Sequence, residues 1–205
     1  MSNLRFREFY RRRLPHIQIS GATYFVTFRL KDSLPLEILE QLVSESDQIK
    51  KLTANQQYLA HRRWFGKFDE YLDRCLHGEK YLEEDQVLAI VSDSLRRRDS
   101  QIYDLLAFCI MPNHVHAVFT PLENPKGGYY SLTEILHSLK RNSAKQVNRV
   151  LGRTGPFWQD ESYDHIVRDD AELDRIIRYV LNNPVKAGLA AEWPAWPGTY
   201  SKYSY

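Results

Sequence analysis

The chain has 205 residues, 43% of them hydrophobic, and its 28 lysines and arginines against 26 aspartates and glutamates leave a net charge of +2. That suffices for one full hydrophobic core, excludes a disordered chain, and gives no bulk-charge argument for nucleic acid. No apolar run approaches the ~20 residues of a membrane helix. The N-terminal MSNLRFREFYRRRLPHI lacks the apolar stretch of a secretory signal, and two cysteines, Cys75 and Cys109, are too few for a disulfide framework. A cytoplasmic protein with reduced thiols is expected.

In chain order, TYFVTFRL (Thr23–Leu30) is β-branched and aromatic and predicts a strand. Pro35 opens a helical pattern through Leu36, Leu39, Leu42 and Val43. The stretch from about Thr53 to Gly78 is mixed and aromatic, and its pattern fixes no element beyond a helical insertion. Glu83–Leu95 predicts a helix with Val87, Leu88, Val91 and Leu95 on one face. IYDLLAFCI, MPN and HVHAVFT predict a strand, a turn and a strand, together a hairpin. A loop from Pro121 to Gly128 leads to a helix over Ser131–Leu151. Its Leu132, Leu136, Leu139, Val147 and Val150 face the core, while Arg141, Lys145 and Arg149 line another side. YDHIV (Tyr163–Val167) predicts a short strand. Asp169 and Glu172 predict a capping box for a last helix that ends near Asn183, before Pro184. The tail WPAWPGTYSKYSY predicts an arm packed on the body.

The order of strands and helices matches a split βαβ, ferredoxin-like α+β fold: an antiparallel sheet with helices on one face, followed by a C-terminal helix. The expected organisation is a basic arm over 1–20, a domain over 21–190 with an insertion around 53–78, and an aromatic tail over 191–205. Local charge is uneven. Arginines cluster at Arg5, Arg7, Arg11, Arg12 and Arg13, and again at Arg96, Arg97 and Arg98, while His61-Arg62-Arg63-Trp64 sets an aromatic beside a basic pair. Such patches bind phosphates or simply form solvated faces.

The motif with chemical content is His114-Val115-His116 after Met-Pro-Asn. Side chains alternate across a strand, so both imidazoles share one face and Val115 takes the other. Same-face imidazoles can chelate one metal ion, and His114 at a strand start allows an open site. Two ligands do not complete a site, and the last helix offers the rest. Tyr179 and Asn183 are four residues apart and stack on one edge, beside the apolar stripe of Leu173, Ile176, Ile177 and Val180. Glu172 lies near the same edge. A boundary aromatic with its hydroxyl in water also explains Tyr179, and a helix C-cap before Pro184 also explains Asn183.

MPNHVH, followed far downstream by YVLNNPVKAGL, resembles the HUH single-strand transposases with one catalytic tyrosine, and more closely their REP-associated tyrosine transposase branch. GATYFVTFRL, YDHIVRD and the aromatic tail also look like that branch, so the resemblance runs from about Gly21 to Tyr200. It implies that His114 and His116 hold a metal, that Tyr179 is the nucleophile and that Asn183 is the third ligand. It favours Mg²⁺ or Mn²⁺, although ligand type alone would also allow zinc. The implied reaction is transesterification of single-stranded or hairpin DNA through a 5′-phosphotyrosine bond, which keeps the phosphodiester energy for rejoining.

DNA contacts would fall to Arg11, Arg12, Arg13, Arg141, Lys145 and Arg149, with aromatics stacking on unpaired bases. His165 could assist Tyr179 or be a partly buried strand histidine. The branch implies a monomer where insertion-sequence relatives form dimers. The alternatives are a domesticated hairpin-binding protein that no longer turns over, and a metal-dependent hydrolase in which Tyr179 is structural.

Overall fold

The structure, a computed structural model, describes residues 6–11, 15–74 and 76–205. Chain order gives β1 (Phe6–Arg11), β2 (Pro15–Ile19), β3 (Tyr24–Leu30), α1 (Leu36–Ile49), α2 (Ala54–Asp73) and α3 (Asp85–Arg96). Then follow β4 (Tyr103–Met111), β5 (His114–Pro121), α4 (Leu132–Val150), β6 (Trp158–Ile166), α5 (Asp170–Lys186) and β7 (Thr199–Ser201). β1 and β2 form a separate antiparallel hairpin, and the other strands make one antiparallel sheet in the order β6-β3-β5-β4-β7.

β3, α3, β4, β5, α4 and β6 are the ferredoxin-like βαββαβ unit. The crossover helices α3 and α4 share one sheet face, where Val91, Leu95, Ile135 and Leu139 pack on Val26, Phe28, Val115 and Phe119. Polar groups in this core are satisfied: Trp158 Nε1 donates to Ser143 Oγ at 2.9 Å and Tyr103 Oη to Leu95 O at 2.6 Å. A reciprocal capping box between Ser131 and Glu134 starts α4. The opposite face carries α5, whose Ile177, Val180 and Leu181 cover Phe25, Ala107, Cys109 and Val118.

α1 and α2 are inserted into the first crossover. They share a cluster of their own, Leu42, Ile49, Trp64 and Leu72. The ambiguous stretch after Thr53 is therefore mostly one long helix. Its aromatics, Trp64, Phe65 and Phe68, are divided between α1 and Tyr163 of the sheet, which blurs any single apolar stripe.

Two boundaries differ from expectation. β6 begins at Trp158, with a register shift against β3 between Phe28 and Leu30. α5 runs through Pro184 to Lys186, because Ala187 N still bonds Asn183 O at 2.9 Å. Pro184 costs α5 one hydrogen bond near its end, and Gly188, at φ +71, stops the chain beyond it. The capping box at the start of α5 is one-sided. Asp169 Oδ1 accepts Glu172 N–H at 2.7 Å, but the Glu172 carboxylate turns to Arg168 N–H and His165.

The tail packs as expected and adds an edge strand. β7 pairs with β4, and Trp196 Nε1 donates to Ile110 O at 2.8 Å. Gly198 is needed at the crossing, since a Cβ there would stand 2.6 Å from Ile110 O.

Candidate metal and nucleophile site

The site grows from the β4–β5 hairpin. Its turn is held from outside: Leu30 N bonds Asn113 O at 2.8 Å, and Asn113 Nδ2 donates to Leu72 O of α2 at 3.3 Å. Asn113 Oδ1 lies 2.7 Å from His114 Nδ1, so this acceptor fixes Nδ1 as the protonated nitrogen and leaves Nε2 a lone pair. Thr27 Oγ1 holds His116 Nδ1 at 2.8 Å across the β3–β5 register. The two Nε2 atoms converge at 3.0 Å. Ligands ~2.1 Å from one ion lie about that far apart. As expected, Val115 points to the other face and is buried in the core. The open site expected of a strand start is not found. Both imidazoles have no exposed surface.

They are covered by α2. Asp69 and Asp73, one helical turn apart, bring Asp69 Oδ1 within 3.2 Å of His116 Nε2 and Asp73 Oδ1 within 3.7 Å of His114 Nε2. One donor atom from each of the four residues lies within 4.8 Å of the others. Burial disfavours the charged form of all four groups. Burial pushes His114 down to about 3 and His116 well below its usual range, and it pushes both carboxyls upward, each with a neighbouring acid adding to the rise.

Both Asp69 oxygens and Asp73 Oδ1 are buried with no hydrogen-bond partner among the described residues. Lys186 Nζ reaches only the other Asp73 oxygen, at 2.8 Å. Buried acceptors with nothing among the described residues donating to them, facing two imidazole nitrogens, make a donor set that fits a divalent cation.

Tyr179 and Asn183 lie on the same side. The Tyr179 ring is 5.8 Å from that of His116 and packs edge-on against Phe25 at 6.1 Å. Its hydroxyl is buried without a partner among the described residues, so the boundary aromatic with a wet hydroxyl is not what is found. Asn183 is inside α5, not at its cap. Its side chain is buried, and both amide atoms lack partners among the described residues. Tyr179, Asn183, Lys186, Arg175 and Arg178 line one cleft of about 440 Å³.

The other sequence candidates are not gathered here. Arg141, Lys145 and Arg149 are exposed on α4, behind the opposite sheet face. Arg12 and Arg13 lie outside the described residues, and of Arg11 only the strand backbone is described. His165 Nε2 contacts Glu172 Oε1 at 3.2 Å, so its nearest partner is that carboxylate. Sequence reasoning missed Asp69, Asp73, Thr27 and Asn113. The spacing of the two aspartates, a helical i,i+4 pair in DEYLD, was the one local signal.

Residues 75–183, just over half of the chain, match the family model for IS200-like transposases. The chain belongs to that family. The match contains His114, His116, Tyr179 and Asn183, and it begins after α2. A Haemophilus influenzae protein assigned to the REP-associated tyrosine transposases is 28% identical over 106 residues, covering 49% of this chain and 59% of that one. The Escherichia coli REP-associated tyrosine transposase is 25% identical over 95 residues, covering 46% and 52%. The chain thus spans a little over half the length of these relatives. The structure of a REP-associated tyrosine transposase bound to a REP hairpin shares the fold, at a TM-score of 0.50 and 18% identity, covering 97% of this chain and 82% of that one.

Proposed function

We propose that this IS200-like transposase cuts and rejoins one strand of hairpin DNA, with Tyr179 as nucleophile. The observation that carries the reading is the Tyr179 hydroxyl, buried and without a partner among the described residues, on a ring packed against His116. A phenol there serves no folding purpose that a phenylalanine would not serve. The family membership and the hairpin bound to the structurally similar transposase support DNA as the substrate.

In this reading the Tyr179 oxygen attacks the scissile phosphorus in line. A bond forms from Oη to phosphorus, the bond to the 3′ oxygen breaks, and the phenol proton ends on the freed 3′-hydroxyl. The step is neutral in protons overall, and the reverse attack by a 3′-hydroxyl rejoins the strand without a nucleotide cofactor. Phenols ordinarily ionise near ~10, so the proton must leave as the bond forms.

Asn113 fixes the tautomer of His114, and Thr27 Oγ1 holds the ring of His116 in place, so that both Nε2 atoms turn to one point. The Asn183 amide oxygen is the third ligand the reading assigns. A divalent ion held there supplies Lewis-acid polarisation of the phosphate. The mixed imidazole and oxygen set suits Mn²⁺ better than Mg²⁺, which prefers oxygen alone. Arg175, Arg178 and Lys186 give the cleft beside Tyr179 the charge to guide a single strand. One chain carries both the histidines and the tyrosine, so a monomer suffices. No helix among the described residues is long and apolar enough to cross a membrane, in keeping with work on DNA in the cytoplasm.

The test uses 3′-labelled hairpin oligonucleotides from the DNA flanking the gene, with Mn²⁺ or EDTA, on a denaturing gel. A metal-dependent, protease-sensitive adduct is expected from wild type and not from Tyr179→Phe. Cleavage without any adduct would make the protein a hydrolase. Binding without cleavage across several hairpins would make it a silent hairpin-binding protein.

A further inference from the structure

The two histidines have no exposed surface and lie against Asp69 and Asp73 of α2, so no DNA phosphate can reach them in this arrangement. The cover is an inserted unit. α1 and α2 leave the sheet after β3 and return before α3, and the two ends of the insertion meet at one neck. There Gly78, at φ +74, stands so close to Asp32, itself at φ +58, that a Cβ on the glycine would lie 2.6 Å from Asp32 O. The unit has its own small core.

Its contacts with the body include Trp64 stacked on Tyr163 at 6.1 Å. Phe65 stacks on Tyr163 at 4.0 Å and meets Phe25 edge-on at 5.4 Å, Leu72 O accepts from Asn113, and Asp73 pairs with Lys186. A cavity of about 50 Å³ lies between the unit and the sheet, lined by Thr27, Arg29, Trp64, Phe68 and Tyr163 among others. What the unit brings to the histidines is carboxylate: both Asp69 oxygens and Asp73 Oδ1 have no hydrogen-bond partner among the described residues.

We propose that the α1–α2 unit is a hinged lid latched by a shared divalent cation. Asp69 and Asp73 ligate from the lid, and His114 and His116 ligate from β5. The proposal rests on the metal half of the reading above and not on Tyr179. Its physical basis is charge and geometry. Two neutral imidazoles and two carboxylates balance a dication, and they belong to two bodies, so the ion joins them. The lid carboxylates stand over the histidines where a scissile phosphate would have to come. Oxygen from the lid and oxygen from DNA therefore compete for the same coordination positions, and the lid must swing about its neck before the strand is seated. The carboxylates lie on α2, within the insertion between β3 and α3, so the latch is a device of this insertion.

The test uses the full chain and Mn²⁺ alone, without DNA. Free Mn²⁺ is read by its paramagnetic resonance signal, and backbone amide exchange is followed across residues 54–73. Wild type is expected to bind Mn²⁺ and to slow exchange along α2 when it does. Asp69→Asn with Asp73→Asn is expected to bind at least ~10-fold more weakly and to show no Mn²⁺-dependent slowing. Phe65→Leu, which loosens the lid away from the ligands, is expected to exchange faster along α2 until Mn²⁺ restores it.

Unchanged Mn²⁺ affinity in the double variant, with affinity lost in His114→Ala, would overturn the carboxylate ligands. Mn²⁺ binding that leaves α2 exchange unchanged in wild type and in Phe65→Leu would overturn the latch. With no DNA present, failure of the Tyr179 adduct does not touch this result, and failure here leaves the adduct assay standing.

Discussion

Replacing Asp69 by Asn should stabilise the metal-free protein. The Asp69 side chain is 3% exposed, neither oxygen has a hydrogen-bond partner among the described residues, and Asp73 is beside it. An unsatisfied buried polar group costs about 1–3 kcal/mol, more when charged. Asn keeps the shape and cannot ionise, so it removes the cost of holding the carboxyl protonated while the unfolded chain ionises. For a domain of this size each kcal/mol moves the melting temperature by about 2–4 °C, so Asp69→Asn should melt ~2–12 °C higher in EDTA at pH 7.

The sign with pH follows from burial, which raises the folded carboxyl above its unfolded value. Below the unfolded value, near ~3.9, both states are protonated and the carboxyl costs nothing. The cost grows as pH rises through that value and is complete above the folded one. The advantage of Asn should therefore vanish near pH 3, grow through neutrality and be fully present only above about pH 8. Saturating Mn²⁺ should favour wild type instead, since ~100-fold excess over Kd adds about 2.7 kcal/mol to whichever form binds it. Calorimetry in EDTA and in Mn²⁺ reads both effects. A lower melting temperature for Asp69→Asn in EDTA at pH 7 would refute the reasoning, because the carboxylate would then be satisfied in the bare protein.

Thr27→Val removes the hydroxyl that orients His116 and should weaken Mn²⁺ binding by ~10–100-fold, read by calorimetric titration, with little change in fold. Gly198→Ala places a Cβ against Ile110 O and should destabilise by about 1–3 kcal/mol in urea unfolding as the tail strand is displaced. Cys109 is wholly buried and its thiol is pushed well up by burial, so native-state alkylation at pH 8 should leave its peptide unmodified in mass spectra. Arg175→Ala with Arg178→Ala should flatten the salt dependence of single-strand binding by about 1.4 in log–log slope, whereas Arg141→Ala with Lys145→Ala should leave it nearly unchanged.

What the sequence made legible follows from how local each signal was. The shared face of His114 and His116 needs only strand alternation, and the hairpin that holds them needs only its turn. The start of α4 at Ser131 needs only its apolar pattern, and the interior position of Val115 only its parity. The end of α5 was misread because Pro184 is a strong local stop, whereas here it falls in the last turn, where the lost hydrogen bond matters least. α2 was illegible for the opposite reason. Trp64, Phe65 and Phe68 answer to two different surfaces, one on α1 and one on the sheet, so no single face stands out. Asp69 and Asp73 reach the histidines across some forty residues of chain, which no pattern within α2 could announce.

The most direct test of the account is the identity of the residue that joins DNA. Wild-type protein and a flanking hairpin would be incubated with Mn²⁺, digested with trypsin and nuclease, and the peptides weighed. The account predicts a nucleotide-bearing phosphodiester on the peptide containing Tyr179, lost in Tyr179→Phe and in EDTA. An adduct on any other residue, or cleaved DNA with the Tyr179 peptide unmodified throughout the time course, would contradict it.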